Sequence, residues 1–461
     1  MYHTTSSVSG QQRFIQSQRN ESDCLSAFNL LTSDILFDEL EKSLPKHRER
    51  LFPPTETLAM FVAQALSADR SCQHVVNQAA VQRLVTGLPI CSTNTGGYCQ
   101  ARQRLPLEMV SGLTRYLGHQ IDQQLPDEWR WHGRRVRLVD GTTVTMPDTA
   151  ENQAVYPQQR TQKEGLGFPI CRLVGITCLA SGALLNAAVG RFSGKGGNEQ
   201  ALLRSIQEML EAGDILMGDA FFPTFFFIAA MLAQGVDILM EQQGARKRVT
   251  DFRRGKRLGQ RDHLITLPKP RIKPDWMSET DYVAAPESIT VREFKAGGKT
   301  MVTTMLCPKS ASKSELKALY KQRWSVELDI RHIKETMGMN ILSCKTPDMI
   351  HKEIWVYLLA YNLIRLLMVQ AAFSADIMPR EISFKHCLQL CVIWCQKPDS
   401  SDDEQLYVLC TLMAQRRVGN RPGRIEPRVV KRRSKPYPLL TVTRDKAREN
   451  VRKFGHPKKL K

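Results

Sequence analysis

The segment YKQRWSVELDIRHIKETMGM brings acidic, basic and aromatic side chains together within twenty residues. We place its first residue, Tyr320, at zero on a helical wheel. Arg323, Glu327 and Lys334 then fall at about −60°, −20° and −40°. Arg331 falls near the same stripe, at about +20°. The spacing therefore predicts one helical face that presents a carboxylate flanked by cations and a phenol.

A solvated surface helix explains only part of this stripe. Glu327 could simply pair with Arg323 or Arg331, but that gives no reason for Tyr320 and Lys334 to share the face. The alternative is phosphate chemistry, in which a carboxylate holds a divalent ion while Arg, Lys and Tyr hold the neighbouring phosphates. Two-metal phosphodiester chemistry needs several acids, because two ions must stand ~3.5–4 Å apart. Partner acids are therefore expected on neighbouring strands.

Two aspartates are candidates for those partners. Asp140 lies within the strand-like run RLVDGTT, and Asp219 ends the strand-like run ILMGDAFF. Acids are rarely buried without a partner or a metal, and sites form at strand ends in α/β sheets. Taken singly, each is equally consistent with an aspartate in a turn or at a helix cap. With Glu327 they form an Asp, Asp, Glu set of candidate catalytic and metal-binding residues.

The charge balance indicates a polyanionic partner. The 461 residues carry a net charge of +19, and residues 416–461 hold 17 Lys/Arg against three Asp/Glu. A basic excess of this size is typical of nucleic-acid-binding proteins. A basic tail that only aids solubility is the alternative. The length suggests two to four domains.

The cysteine pattern is typical of a protein in a reducing compartment, and the apolar runs are too short for a membrane span. The twelve cysteines form no CxxC pair, and the recurrence of Cys387, Cys391 and Cys395 every four residues favours a packing stripe over a metal site. No run reaches ~18 apolar residues, and the N-terminus lacks a basic start followed by an apolar stretch. We expect neither a membrane span nor a secretory signal.

The remaining pattern predicts an α/β protein with a helical start. Residues 26–113 carry helical periodicity and include a short basic helix around Arg102 and Arg104, which suits a DNA-binding arrangement and equally a plain helical bundle. Residues 244–312 are basic and β-rich, with a hairpin around AGGK, and helices return after them. Between residues 113 and 244, strands are predicted at 134–149, 170–190, 214–222 and 236–243, and helices at 197–213 and 223–235.

These features together resemble the DDE-type insertion-sequence transposases, specifically the insertion-sequence-4 family. The family signature Y-x-x-R-x-x-x-E-x-x-x-x-x-x-K is matched without spacing error at Tyr320, Arg323, Glu327 and Lys334. Its first catalytic Asp lies in a strand before Gly, as Asp140 does, and its second ends a strand before an aromatic-rich helix start, as Asp219 does in MGDAFFP. The stretches QARQRL and EPRVVKRRSKPYP are also similar to members of that family.

The resemblance implies an α/β fold with an RNase H-like catalytic core, a mixed sheet with flanking helices. A β-rich insertion would interrupt the core, and a helical DNA-binding domain would precede it. The expected segments are a flexible N-terminus at 1–22, the helical N-terminal domain at 23–130, the core at 131–243 and 313–372, the insertion at 244–312, and a helical C-terminal region with the basic tail at 373–461.

The resemblance also implies a reaction. Such enzymes bind the terminal inverted repeats of a bacterial mobile element, cleave the DNA ends and join them to target DNA, as a homodimer in a synaptic complex. Asp140, Asp219 and Glu327 would ligate two Mg²⁺ ions, for which Mn²⁺ would substitute. Tyr320, Arg323 and Lys334 would grip DNA phosphates. The expected location is the bacterial cytoplasm, in association with the nucleoid.

Further DNA contacts are expected from basic residues and one tryptophan. Wider relatives pass through a DNA hairpin and hold a flipped base against a Trp; Trp276 is the only Trp of the insertion, but no motif fixes it in that role, and Trp324 is expected in the core. A host-adopted or inactive DNA-binding protein and a plain nuclease remain alternatives. The candidate contacts are Arg102, Arg104, Arg246, Lys247, Arg248, Arg253, Arg254, Trp276 and Arg331.

Overall fold

The structure is a computed structural model that describes residues 51–194, 196–394, 403–419 and 440–455, without the side chains at 245, 247, 403 and 404. Several predictions fall outside these residues. They are the flexible start at 1–22, the helical periodicity up to residue 50, Cys395, and most of the basic tail.

Helices pack against a single described sheet. The helices are α1 (Pro54–Leu66), α2 (Cys72–Val85), α3 (Gly96–Arg104), α4 (Leu107–Gln123), α5 (Ala150–Val155), α6 (Glu199–Arg204), α7 (Phe225–Ala233), α8 (Gly244–Val249), α9 (Glu279–Ala284), α10 (Lys313–Lys321), α11 (Trp324–Arg331), α12 (Pro347–Ala375), α13 (Phe384–Trp394), α14 (Asp403–Ala414) and α15 (Arg444–Phe454).

The strands of the described residues all join one mixed sheet. They are β1 (Val136–Thr145), β2 (Ile170–Cys178), β3 (Leu184–Arg191), β4 (Ile215–Gly218), β5 (Asp237–Glu241), β6 (Lys256–Gly259), β7 (Asp262–Pro268), β8 (Ser288–Ala296) and β9 (Lys299–Thr303). Their order across the sheet is β3-β2-β1-β4-β5-β9-β8-β7-β6. The predicted α/β class is confirmed.

Strand β1 lies centrally among the first five strands. It is antiparallel to β2, and β2 forms the predicted hairpin with β3. It is parallel to β4, with Leu138 opposite Met217, and β4 is in turn parallel to β5. Parallel strands end at the same edge of a sheet, so the residues that follow Leu138 and Met217 are brought to one edge.

The β-rich segment at 244–312 continues this sheet. Strands β8 and β9 form the hairpin expected around AGGK, and β7 and β6 follow on its far side. Strand β9 pairs antiparallel with β5, with Val302 opposite Met240. The strand predictions in this segment are confirmed, and its attachment to the core is a backbone ladder, which the sequence pattern did not reveal.

Helix α12 runs through the middle of the protein. Pro347 occupies its first turn, and the Thr346 side chain caps it by accepting a hydrogen bond from the Met349 backbone N–H. Among the described helices it alone has the length and apolar composition to cross a membrane, and 89% of its most apolar stretch is buried inside the protein. Such burial is typical of the central helix of a globular core.

Helix α4 packs against both α12 and β3. Gly118 makes the closest part of that contact, because a Cβ added there would lie 2.0 Å from the Leu184 carbonyl oxygen. The Asn362 side chain of α12 secures the same place, donating to the carbonyls of Thr114 and Leu184. Only glycine fits at position 118 when α4 packs this closely against β3.

One helix was predicted too long. The segment 197–213 forms α6 only as far as Arg204, and a short 3₁₀ turn at Gln207–Met209 follows. Leu202 and Leu203 are buried against the sheet, and the chain must then turn to enter β4 at Ile215. The apolar periodicity marks the buried contacts but not the point where the chain turns.

Candidate active site

The segment that carries the signature is helical but not one continuous helix. Helix α10 begins at a capping box between Ser312 and Glu315 and ends at Lys321. Helix α11 starts after Arg323, and a π-helical turn, His332–Thr336, follows it. The spacing in the sequence placed Tyr320, Arg323, Glu327 and Lys334 on one continuous helix, and this prediction is wrong. Because the helix breaks after Lys321, the angle between Tyr320 and the residues of α11 differs from the one predicted.

Asp140 lies in the middle of β1. Its side chain is 19% exposed, and its Oδ1 accepts a hydrogen bond of 2.8 Å from the Gly141 backbone N–H. Burial raises the pKa of Asp140 to about 6. The charges of Asp219 and Glu199 act in the same direction, while the Gly141 hydrogen bond and the charge of Arg323 act against it. This carboxyl therefore stands among other negative groups in a poorly solvated place.

Asp219 directly follows β4. Because Leu138 of β1 is opposite Met217 of β4, two further residues along each strand bring Asp140 and Asp219 to neighbouring positions. Asp219 is half-buried, and its Oδ1 accepts a hydrogen bond of 2.9 Å from the Phe221 backbone N–H. This turn fixes the direction in which the chain leaves the sheet.

Glu327 comes to the same place from α11. The Arg323 Nη2 donates a hydrogen bond of 2.7 Å to Glu327 Oε1, and the Arg323 Nη1 lies 3.6 Å from Asp140 Oδ2. The guanidinium is 14% exposed, so it contacts both carboxylates away from bulk water. Arg323 therefore links Glu327 of α11 to Asp140 of β1, and the strand register places Asp219 next to Asp140.

The other two signature residues line this region. The Tyr320 hydroxyl donates to the Gly218 carbonyl at 3.3 Å, and burial raises the pKa of Tyr320 to about 12. The Lys334 Nζ donates to Thr142 Oγ1 at 3.0 Å, and burial lowers the pKa of Lys334. Arg331, expected near the stripe, is exposed. Sequence reasoning missed Thr142, which follows Asp140 by two residues.

The donor set suits a hard divalent cation. As the described side chains stand, no three His, Cys, Asp or Glu residues meet as ligands of one ion. At the predicted site, Arg323 holds Glu327 and neighbours Asp140. The carboxylates of the predicted site fit Mg²⁺, since carboxylate oxygens are its preferred protein ligands. A cation would also relieve the negative surroundings that help to raise the pKa of Asp140 to about 6.

A buried cluster of charges holds the back of α11. Asp329, two residues after Glu327, has no exposed surface. It accepts hydrogen bonds from Arg365 at 2.7 Å, from Arg380 at 2.9 and 3.0 Å, and from Thr177 at 3.3 Å. Burial opposes its ionisation, but the two guanidinium groups prevail and lower the pKa of Asp329. Arg380 also donates to the Cys178 carbonyl at 3.0 Å, which ties α11 to the end of β2.

The basic residues proposed for DNA contact differ widely in exposure. Arg102 is only 7% exposed; it donates to Gln64 Oε1 at 3.3 Å and lies over the rings of Phe61 and Tyr98. Its position inside the bundle accounts for it without DNA. Arg104, two residues on, is exposed. Packing within a helical bundle therefore explains Arg102, but it does not explain Arg104.

In the β-rich segment, Arg246 is already engaged. Its Nε donates a 3.0 Å hydrogen bond to the buried Glu293, which also accepts from Gln242 and contacts His263. The Lys247 side chain lies outside the described part of the chain. The exposed candidates of this segment are Arg248, Arg253 and Arg254.

Two tryptophans stand at the surface. Trp276 is 48% exposed; the Arg204 guanidinium lies 3.8 Å from its ring centroid, and the edge of Phe226 packs against it. Trp324 is 53% exposed at the start of α11, so its expected place in the core is wrong. Its position directly after Arg323, at the break between the two helices, turns the side chain outward.

The fold and the site together define a DDE-type transposase. The family model described as "Transposase DDE domain" matches residues 131–363, which is half of the chain. That span runs from just before β1 to the middle of α12 and includes all three predicted acids. The chain belongs to this family.

The relatives are consistent with that membership. The chain is 25% identical to the transposase InsG for insertion sequence element IS4 of Escherichia coli (strain K12), over 85% of this chain and 88% of that protein. A solved structure, a cryo-EM structure of the piggyBac transposase synaptic complex with hairpin DNA, aligns with a TM-score of 0.43 and 11% identity, covering 88% of each chain. A TM-score of that size supports no structural conclusion.

Proposed function

We propose that this protein is a cut-and-paste transposase of a bacterial insertion sequence. It binds the terminal inverted repeats of its element, cleaves the DNA ends and joins them to target DNA by metal-dependent phosphodiester chemistry. Membership of the DDE transposase family supports the class of reaction. The likeness to InsG, which is named for an insertion sequence, supports the kind of element.

Two contacts support the proposed catalytic set of Asp140, Asp219 and Glu327. The aspartates follow paired positions on the parallel strands β1 and β4, and Arg323 joins Glu327 to the neighbourhood of Asp140. A structural role does not require three acids at one half-buried edge, because like charges in a poorly solvated place are unfavourable. Asp140 on a central strand and Glu327 on a late helix also support an RNase H-like core for 131–243 and 313–372.

In the proposed mechanism, Asp140, Asp219 and Glu327 would hold two Mg²⁺ ions, for which Mn²⁺ would substitute. The bound metal would supply Lewis-acid activation for an in-line displacement at phosphorus. Arg323 would exchange Glu327 for a phosphate of the DNA, which would free the Glu327 carboxylate. Arg323 then neutralises charge beside the scissile bond, where a fixed guanidinium matches phosphate geometry.

Tyr320 and Lys334 flank the acids and position the DNA backbone. Lys334 reaches the site as a cation held by Thr142, and Tyr320 offers a hydroxyl beside the end of β4. Both groups contact phosphates in the proposed complex and keep the scissile bond in line with its attacking oxygen. The exposed Arg248, Arg253 and Arg254 add affinity that falls as salt concentration rises.

The partners follow from the reaction. They are double-stranded DNA at the element ends and at the target, and a second copy of the chain in the synaptic complex. The proposed location is the bacterial cytoplasm at the nucleoid. The helical N-terminal domain at 23–130, the insertion at 244–312 and the C-terminal region at 373–461 would supply DNA contacts around the core.

Cleavage of DNA carrying the element ends tests this proposal. Asp140→Asn, Asp219→Asn and Glu327→Gln should each abolish cleavage in Mg²⁺ while binding to end DNA persists. Glu208→Gln, which removes an exposed acid from the 3₁₀ turn after α6, should cleave like the wild type. Full cleavage by any of the first three variants would refute the assignment. A wild type that binds ends but never nicks them would favour a DNA-binding protein that has lost the chemistry.

A further inference from the structure

A fourth carboxylate stands beside the proposed catalytic aspartates. Glu199 is the first residue of α6, and its side chain is 24% exposed. Its charge interacts with the carboxylates of both Asp140 and Asp219. No signature residue corresponds to it, and the mechanism above does not use it.

Gly141 makes room for this carboxylate. A Cβ added to Gly141 would lie 2.6 Å from Glu199 Oε1 and 2.5 Å from Glu199 Cδ, far inside contact distance. Gly141 does not have a positive φ, so the backbone itself does not call for glycine at this position. The absence of a side chain at Gly141 therefore lets Glu199 approach the backbone of β1, from the face of the sheet opposite the Asp140 side chain.

The first turn of α6 touches both aspartate-bearing elements. Gln200 donates its side-chain amide to the Phe221 carbonyl, while the Phe221 N–H donates to Asp219. The Asn198 side chain caps the helix by accepting from the Ala201 N–H at 2.8 Å, which fixes where Glu199 starts. The helix is thus built against the strand of Asp140 and the turn of Asp219 at once.

The negative charge of Glu199 is only partly compensated. Its nearest cation is Arg172, whose Nε lies 3.9 Å from Glu199 Oε1. Arg172 also lies over the Phe192 ring, with its guanidinium carbon 4.9 Å from the centroid. Burial raises the pKa of Glu199 and the charge of Asp219 adds to this, while the charge of Arg172 opposes both.

We propose that Glu199 is a positioning residue of the active site: its carboxylate, admitted by Gly141, adds negative charge beside Asp140 and Asp219 and so raises their affinity for a divalent cation. The inference rests on the proposed function. Glu199 acts through the two aspartates, by increasing the negative field at their oxygens. The reaction itself still depends on the three acids named above.

Binding of Mn²⁺ to the DNA-free protein, followed by electron paramagnetic resonance, tests this directly. Glu199→Gln keeps the shape of the side chain and removes its charge, and should weaken Mn²⁺ binding by about ten-fold, the effect of one charge on a divalent ion at a distance of a few ångströms. Glu199→Asp, which retains the charge, should restore most of the affinity. In a cleavage assay, Glu199→Gln should need a correspondingly higher Mg²⁺ concentration for half-maximal rate while reaching a similar maximum.

Two matched variants separate this role from simpler ones. Glu208→Gln removes an exposed acid close by in sequence and should bind Mn²⁺ like the wild type. Arg172→Gln removes the ion-pair partner but keeps the Glu199 charge, and should not weaken binding. If Arg172→Gln reproduces the defect of Glu199→Gln, the ion pair is what matters and the inference is overturned.

The outcomes also distinguish this inference from the proposed function. Wild-type affinity in Glu199→Gln, with a loss in Asp140→Asn, would overturn the role of Glu199 and leave the catalytic assignment standing. A wild-type protein that neither binds Mn²⁺ nor cleaves end DNA would remove both. Melting curves of each variant without metal show whether a change in binding arises from a change in folding.

Discussion

Arg323 Nη2 donates a 2.7 Å hydrogen bond to Glu327 Oε1, one helical turn further along the chain. The same guanidinium lies 3.6 Å from Asp140 on the sheet. One cation therefore connects the third acid of the site to the first. This arrangement offsets the repulsion between the carboxylates of Asp140 and Glu327.

Arg323→Ala should make the metal-free protein depend on divalent cations for stability. Loss of the guanidinium leaves Asp140 and Glu327 without their shared cation, so the melting temperature in EDTA should fall. Addition of Mg²⁺ should raise it by more than in the wild type, since the ion replaces the lost charge. Differential scanning fluorimetry with and without Mg²⁺ measures both effects. Arg331→Ala, which removes an exposed cation of the same helix, is the control, and equal Mg²⁺-induced shifts in all three proteins would contradict the prediction.

Lys334→Ala should weaken the complex with element ends by roughly 10- to 100-fold, the usual cost of losing one charge-assisted hydrogen bond. Thr142→Val removes only the acceptor that holds the Lys334 ammonium and should cost less, about 3- to 10-fold. Gel-shift titrations with end DNA, at one fixed salt concentration, measure both. Lys317→Ala, an exposed lysine of α10, is the matched control. End binding by Lys334→Ala at the wild-type level would make this lysine a solvated surface charge.

His332 should make the protein lose stability as the solution is acidified. Its ring stacks on Phe384, with centroids 4.5 Å apart, and its Nδ1 is buried without a hydrogen-bond partner. Burial lowers the pKa of His332 to about 3. The charged groups that face the ring are Arg365, Asp329, Arg380 and Arg331.

The sign follows from proton linkage. The unfolded chain binds a proton at this histidine below about pH 6.5, while the folded protein does not, so stability is complete above that pH and falls below it. Between pH 7.5 and 5.5 the loss from this residue should be about 1.4 kcal/mol. His332→Phe keeps the stacking and removes the titration. Urea midpoints at the two pH values should therefore shift less in the variant than in the wild type, and equal shifts would contradict the assignment.

Two glycines of α4 should respond oppositely to the same change. Gly118→Ala places a Cβ 2.0 Å from the Leu184 carbonyl oxygen and should destabilise the protein, because α4 must move away from β3. At Gly112 an added Cβ meets nothing within 4 Å, so Gly112→Ala should be neutral or stabilise by roughly 0.5–1 kcal/mol, as expected in a helix interior. Melting temperatures of the two variants measure this, and similar values would show that α4 does not dock as described.

Much of the site was predictable from sequence for local reasons. The signature spacing marked Glu327 with Arg323, and the strand contexts marked Asp140 and Asp219. Whether these three acids bind metal is still a prediction. The parallel pairing of β1 with β4, a relation that strand patterns allow without specifying, accounts for the placement of Asp140 next to Asp219, and Arg323 links Glu327 to Asp140. Arg102 illustrates the limit, because a buried and an exposed arginine on a helix look alike in sequence.

Long-range relations were not predictable in the same way. Glu199 begins a short helix with no sequence signature, and only the folded chain brings it to Gly141. Asp329 could be placed on the opposite face of the helix, but its partners Arg365 and Arg380 are 36 and 51 residues away along the chain. The break between α10 and α11 depends on how these helices pack against the sheet, which helical periodicity does not encode.

The ladder between β5 and β9 has a mechanical consequence. Backbone hydrogen bonds join β5 to β9, so the outer strands are not free to rotate relative to β4 and β5. In the proposed complex, DNA contacted by the outer strands would therefore be kept at a set spacing from Asp140 and Asp219.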